Sequence, residues 1–404
     1  MKDQFFSAVA TLSFIFGTAA FFFIGARVLP VTDFGHLSKT YALATFLGLF
    51  VSYGYPQKLL QILPKSDDKG LPASVMSHQV VLLAVVSVGG VGLAQLLGYD
   101  IRLFALFWAG AGPLAIANTL QTVFRANHLH HLDALMRGAG RATLGLGIIL
   151  LAFSGSATTV NFAIVFTIAA WVELILSALL LKHKYGIPGW QFDLPALIRT
   201  LWSDAAYLID LIMQRAFGTL DILLIAALAP AEQVALYSVA QKLAQTSLSM
   251  LMPLMNTRVP RMSAAEQDGP AAFQAAFRAT MRLAITGGIL GALVILPFAY
   301  APVLRLFGRD YGAAAGVVAI FSVAVVIRFA AAGLGLSLLA RGRQQARLIG
   351  NLVSVAAMLL VAPLAVHQWG AFGMAVAIAL SSTVLYFFFF WRLDRHPRPA
   401  PISP

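Results

Sequence analysis

About twelve times along its 404 residues this chain stays apolar for the length a helix needs to cross a bilayer, and that repetition constrains the fold more than any motif does. A hydrocarbon core about 30 Å thick takes about 20 residues of helix at 1.5 Å each. The runs lie near 5–28, 36–63, 75–97, 102–124, 137–154 and 159–181, and again near 204–229, 232–259, 282–301, 312–340, 347–366 and 371–391. They are too long for barrel strands, and a backbone in lipid must satisfy its own hydrogen bonds, so helices are expected throughout. Composition agrees: apolar residues are 59% and charged residues only 11%, where a soluble domain carries roughly 25% charged, so no ordinary water-facing surface can be built. The expected fold class is an all-α polytopic membrane protein. Lys2 before the apolar stretch Phe5 to Val28, with no small-residue cleavage site, reads as a retained first span rather than a leader.

Loop charge tests this map independently, because cytoplasmic loops collect Lys and Arg. Of the 28 Lys and Arg, Lys39, Arg215, Lys242 and Arg328 fall inside spans and Arg27, Arg102, Arg305 and Arg309 in one set of turns, leaving 20 on the opposite side. That split requires an even number of crossings between successive basic loops and puts both termini in the cytoplasm. The net charge of +12 then reflects topology and attraction to anionic headgroups, so no nucleic-acid partner is expected.

Weak internal echoes suggest a duplication. Residues 28–37 match 228–237, with Pro30 over Pro230 and Phe34 over Val234, and Phe124-Arg125-Ala126-Asn127 echoes Leu339-Ala340-Arg341-Gly342. The expected organisation is a six-helix bundle over 1–184, a cytoplasmic interfacial linker helix over 185–203, and a second six-helix bundle with a short tail over 204–404. Six crossings is an even number, so the halves enter the membrane in the same direction and leave a central cavity between them. Trp190, Leu194, Leu197, Ile198, Leu201 and Trp202 give the linker an amphipathic stripe, and Phe273, Phe277 and Met281 suggest a second interfacial helix.

Eight charges remain within the expected spans: Lys39, Glu173, Asp204, Asp210, Arg215, Asp221, Lys242 and Arg328. Each costs about 2.5–3.5 kcal/mol at a helix centre, so such groups face a watery cavity, pair with one another, or reach an interface, as expected of Asp204. Tyr207, Asp210, Gln214, Gly218 and Asp221 share one helix face, with Arg215 on its border. Gln241, Lys242 and Gln245 form a second polar stripe. A desolvated cation needs an anion, and guanidinium binds phosphate oxygens in bidentate fashion. Arg215, Lys242, Lys39, Arg328, Gln214, Gln241, Gln245 and Tyr207 are therefore the candidate substrate-binding residues, and the basic members point to an anionic cargo. A carboxylate desolvated in one state and not the other changes its proton affinity, so Asp210, Glu173 and Asp221 are candidates for coupling transport to an ion gradient.

Other chemistry finds no residues to perform it. There is no cysteine, and His128, His130 and His131 lie together without a carboxylate or second cluster to complete a metal site. Gly110, Gly112 and Ala115 fit a dinucleotide spacing only inside an apolar run, and no P-loop or nucleophile elbow occurs. No catalytic residues, metal or cofactor are expected.

Four segments, in order, carry a family resemblance. Arg27-Val28-Leu29-Pro30-Val31-Thr32-Asp33-Phe34-Gly35 resembles the first outer turn of the bacterial polysaccharide (Wzx-type) flippases of the multidrug/oligosaccharidyl-lipid/polysaccharide (MOP) exporter superfamily. Leu220-Asp221-Ile222-Leu223-Leu224 with Ala231 to Ser238, then Arg258-Val259-Pro260-Arg261, then Leu304 to Tyr311, resemble later parts of the same pattern, with Ala235 where the family usually has Gly. The resemblance implies a MOP/MATE-like fold and a flippase in the bacterial inner membrane. Its implied cargo is a polyprenyl-pyrophosphate-linked oligosaccharide, moved from the cytoplasmic to the outer leaflet by alternating access. Partners implied are membrane lipids and the polysaccharide polymerase and chain-length machinery. The alternative is a multidrug or small-solute exporter of the same superfamily, whose cationic cargo would not need Arg215 and Lys242. A facilitator-type carrier, faintly suggested by Asp68-Lys69-Gly70, lacks the rest of its signature.

Overall fold

The computed structural model describes residues 2–63, 71–186, 193–256, 258–300 and 304–394; Trp190 and the Asp68-Lys69-Gly70 segment lie outside them. Among the described residues every regular element is helical. In chain order they are α1 (Lys2–Val28), α2 (Val31–Ser52), α3 (Tyr55–Ile62), α4 (Leu71–Leu96), α5 (Ile101–Ala126), α6 (His130–Ser154), α7 (Thr159–Tyr185), α8 (Leu194–Arg215), α9 (Asp221–Leu228), α10 (Ala231–Asn256), α11 (Arg258–Asp268), α12 (Pro270–Ile295), α13 (Ala315–Ala340) and α14 (Gln344–Asp394). At 51 residues α14 is far longer than a bilayer is thick, and Gly370, at φ 54° and ψ −128°, breaks it into two helices. The helices α8 and α9 are together long and apolar enough for one span and are bent by 61° between Met213 and Ala216. Counting α2 with α3 as one run, the helices correspond to the twelve apolar runs, with α11 as an additional short helix.

Seven of these helices are individually long and apolar enough to cross a membrane, and the bent α8–α9 pair makes an eighth. Neither α2 nor α10 passes that test; α2 carries Asp33 and Lys39, and α10 carries Glu232 and Lys242. Proline starts both: Pro30 precedes α2 and Pro230 precedes α10, where a fixed φ and a missing N–H cost least.

The chain divides into two compact units, Met1–Ala235 and Leu236–Pro404. In the first, α6 packs on α1 and α7, α5 on α7 and α2, and α2 runs alongside α8, the break and α9. Its interior is aromatic: Phe21, Phe22, Phe107 and Phe166 surround the ring of Tyr41 at centroid distances of 5.3–5.8 Å. Edge-on packing dominates, as the ring quadrupole favours. In the second unit α13 packs on α12, α14 and α11. Ala331, Leu334, Leu338, Leu385 and Phe389 form a core cluster there.

Two boundaries differ from the sequence expectation. Phe273, Phe277 and Met281 are not a separate interfacial helix but the first turns of α12; Phe277 and Met281 pack on that core cluster, so their apolar face meets protein instead of lipid headgroups. The amphipathic stripe from Leu194 to Trp202 likewise continues without interruption into α8. The tenth run is continuous as α13.

Candidate functional site

The strongest local anomaly is the break between α8 and α9. Phe217 (φ −96°, ψ 91°) and Gly218 (φ 141°, ψ −9°) leave helical geometry. Gly218 occupies a region that a side chain would strain. Freed amides there need partners, and Asp221 supplies one: its Oδ1 accepts from the Gly218 N–H at 3.0 Å and the Ile222 N–H at 2.9 Å. The five-residue polar face expected from Tyr207 to Asp221 is therefore interrupted, because Gly218 is not helical and Asp221 belongs to a new helix start. Interrupted helices at membrane depth are found where they are buried in protein or line a cavity.

Arg215 is the last residue of α8, immediately before this break. Arg215 is exposed, so its guanidinium is open to a ligand from outside the packed helices. The groups in electrostatic range are the Tyr41 phenol, Arg141 and Arg137. No ion pair among the described residues includes Arg215, so the pairing with Asp210 that would have made it purely structural is not formed.

Arg141 was not legible as a site residue. Its position among His128, His130, His131 and Arg137 reads as a basic loop, but α6 already begins at His130. Arg141 therefore lies inside the bundle, 8% exposed, with its backbone and Cβ against Gly17 of α1. Arg137 pairs with Asp133 at 2.9 Å, and Asp133 also meets Arg125 at 3.7 Å.

Glu173 on α7 is buried, and its Oε1 accepts from Gln121 Nε2 on α5 at 2.9 Å. Its other oxygen lies against Gly140 of α6, the residue before Arg141, where a Cβ would come within 2.7 Å. Lys39 points elsewhere: its Nζ sits 5.1 Å from the ring centre of Tyr99, in the turn between α4 and α5. Burial pushes the Tyr99 phenol up to about 12, which keeps the ring neutral beneath the cation. Tyr207 donates to Gln61 Oε1 at 2.8 Å, and Asp210 is half-buried one turn further along α8. The side chain of Gln214 lies outside the described residues.

The remaining candidates belong to the second unit. Lys242 is buried and donates to Gln245 Oε1 at 3.0 Å, Gln241 is buried beside it on α10, and Arg328 is half-buried on α13. Among the described residues no group of three or more His, Asp or Glu could hold a metal ion.

A family model described as polysaccharide biosynthesis protein matches residues 5–266. No curated protein matches the chain in sequence. Among solved structures, the lipid II flippase MurJ in an inward closed conformation is similar over 98% of this chain and 88% of that one, with a TM-score of 0.74 at 13% identity. A multidrug resistance MATE family transporter of the MOP superfamily, inward-facing, is similar over 96% and 98%, with a TM-score of 0.72 at 16% identity. A MATE transporter of Vibrio cholerae covers 98% and 96% at a TM-score of 0.64 and 14% identity. At these identities the likeness is one of fold, and it is the fold of multi-span helical transporters.

Proposed function

The chain belongs to the polysaccharide biosynthesis protein family, and from that premise we propose that it flips a polyprenyl-pyrophosphate-linked oligosaccharide from the cytoplasmic to the outer leaflet of the bacterial inner membrane. The observation that carries this reading is the disposition of Arg215. An exposed guanidinium at the break of a helix, in electrostatic range of the Tyr41 phenol and in no ion pair among the described residues, is a place for an anion. A diphosphate would supply that anion, because guanidinium binds phosphate oxygens in bidentate fashion. Lys39, Lys242, Arg328, Gln241, Gln245 and Gln214 are assigned to the path the cargo follows, and the aromatic interior to its apolar neighbours.

Alternating access between two six-helix halves would carry the headgroup across, with both termini cytoplasmic. Asp210, Glu173 and Asp221 are the groups through which a proton or cation gradient would drive it. Glu173 supports that role best, since it is a buried ionisable group whose Oε1 accepts from the neutral amide of Gln121. Polymerase and chain-length machinery would take the product on the outer face.

The second reading, export of drugs or small solutes, is favoured by the likeness to MATE transporters. The test is the sidedness of labelled lipid-linked oligosaccharide in vesicles from cells with the gene intact, deleted, or carrying Arg215→Ala or Arg215→Lys. Flipping predicts that deletion and Arg215→Ala both trap the lipid on the inner face, with Arg215→Lys partly active. Unchanged sidedness on deletion, in a strain with no second flippase, would leave export as the function.

A further inference from the structure

The end of α8 remote from Arg215 is fastened to the turn after α2. Tyr53 and Gly54 adopt left-handed backbone, φ 45° and 73°, and redirect the chain into α3. Three side-chain hydrogen bonds then cross to α8. The Tyr53 hydroxyl donates to the Leu201 carbonyl at 2.8 Å, Lys58 Nζ to Asp204 Oδ2 at 2.5 Å, and the Tyr207 hydroxyl to Gln61 Oε1 at 2.8 Å. Gly54 is buried directly against Tyr207, where a Cβ would approach to 2.5 Å. Asp204 is 5% exposed, so Lys58 is what makes its charge tolerable there.

We infer that this latch positions Arg215: Tyr53, Lys58 and Gln61 hold Leu201, Asp204 and Tyr207 and so set the rotation of the helix on whose far end the guanidinium stands. Helix geometry makes the connection. Asp204 and Arg215 are 11 residues apart, a rise of about 16 Å and a rotation that returns to within about 20° of the same face. The face that α3 grips is thus the face on which Arg215 stands. At its other end α8 has no continuous helix to fix its rotation, because Phe217 and Gly218 have broken it. The rotational setting of Arg215 is therefore fixed from the latch end.

The transport arm of the test rests on the flippase reading; the accessibility arm does not. The chain contains no cysteine, so Arg215→Cys provides a single thiol whose reaction rate with a water-soluble methanethiosulfonate reports where position 215 points. In that background Lys58→Asp, Asp204→Lys and the Lys58→Asp/Asp204→Lys exchange are compared, with Tyr53→Phe/Tyr207→Phe removing only the two hydroxyls. A latch worth about 1 kcal/mol in orientation changes the rate about fivefold in each single variant and in the Phe pair, and the charge exchange restores it. The same latch variants with Arg215 retained should lose and regain flipping in parallel. A labelling rate equal to the parent in the accumulating variants overturns the latch, even if flipping falls. If the charge variants fail to accumulate, the Phe pair decides. A changed labelling rate with no flipping activity in any form, including the parent, leaves the latch standing and removes the flippase reading.

Discussion

At the scale of single residues, the glycines of the first unit separate those that a neighbour requires from those that none does. Gly140 has the Glu173 carboxylate and the Ala169 carbonyl where a methyl would go, whereas Gly89, in α4, has nothing within 4 Å. Gly140→Ala should therefore destabilise the purified protein by about 1–3 kcal/mol, the range for overpacking. Gly89→Ala should be neutral or slightly stabilising, since alanine favours a helix interior by about 0.8–1 kcal/mol over glycine. Thermal unfolding in one detergent measures both, and equal midpoints would show that Glu173 has room to move. Glu173 was legible in the sequence because a carboxylate inside an apolar run has no bland surface to occupy. Its contacts were not, because Gln121 and Gly140 come from helices 52 and 33 positions away and nothing in their own neighbourhoods marks them. Arg141 was hidden for the opposite reason: surrounded by histidines and Arg137, it carried the signature of a solvated loop.

At the scale of elements, run length and charge placement were enough to find nearly every helix, because a crossing of the hydrocarbon core leaves a long, clean signal. Breaks inside a run leave almost none. The sequence Ala-Phe-Gly-Thr-Leu at 216–220 contains one glycine, no more than several unbroken helices do, and α2 packs along α8, the break and α9. Removing the cap tests how that break is held. Asp221→Ala should cost about 0.5–2 kcal/mol, as loss of a helix cap does, while Asp221→Asn, which keeps an acceptor oxygen for Gly218 and Ile222, should recover most of it. Gly218→Ala should be at least as damaging, because φ 141° lies outside what an L side chain adopts readily. Thermal midpoints in detergent read all three; an intact midpoint for Asp221→Ala would mean that packing alone maintains the bend. The Lys58–Asp204 pair, 146 residues apart, had no sequence signal beyond two charges near run ends.

At the scale of the whole molecule, an energy source has to be found without a nucleotide site, and the buried carboxylates are where a gradient could act. Glu173→Gln keeps shape and hydrogen-bonding capacity but removes the titratable proton. With gradient-driven flipping, this variant should retain substrate-dependent thermal protection in detergent while losing the stimulation of flipping by an imposed proton or sodium gradient. Undiminished stimulation would assign coupling to Asp210 or to another group. Polypeptide order carries a further consequence. The α8–α9 span bears Asp210, Arg215 and Asp221 and an opened backbone, and each charge opposes insertion of a lone helix by about 2.5–3.5 kcal/mol. Such a segment does not partition into lipid unaided, yet α2, synthesised about 170 residues earlier, runs alongside it from α8 through the break to α9. The seventh crossing should therefore enter the membrane late, once α2 and its neighbours are in place to cover its charges.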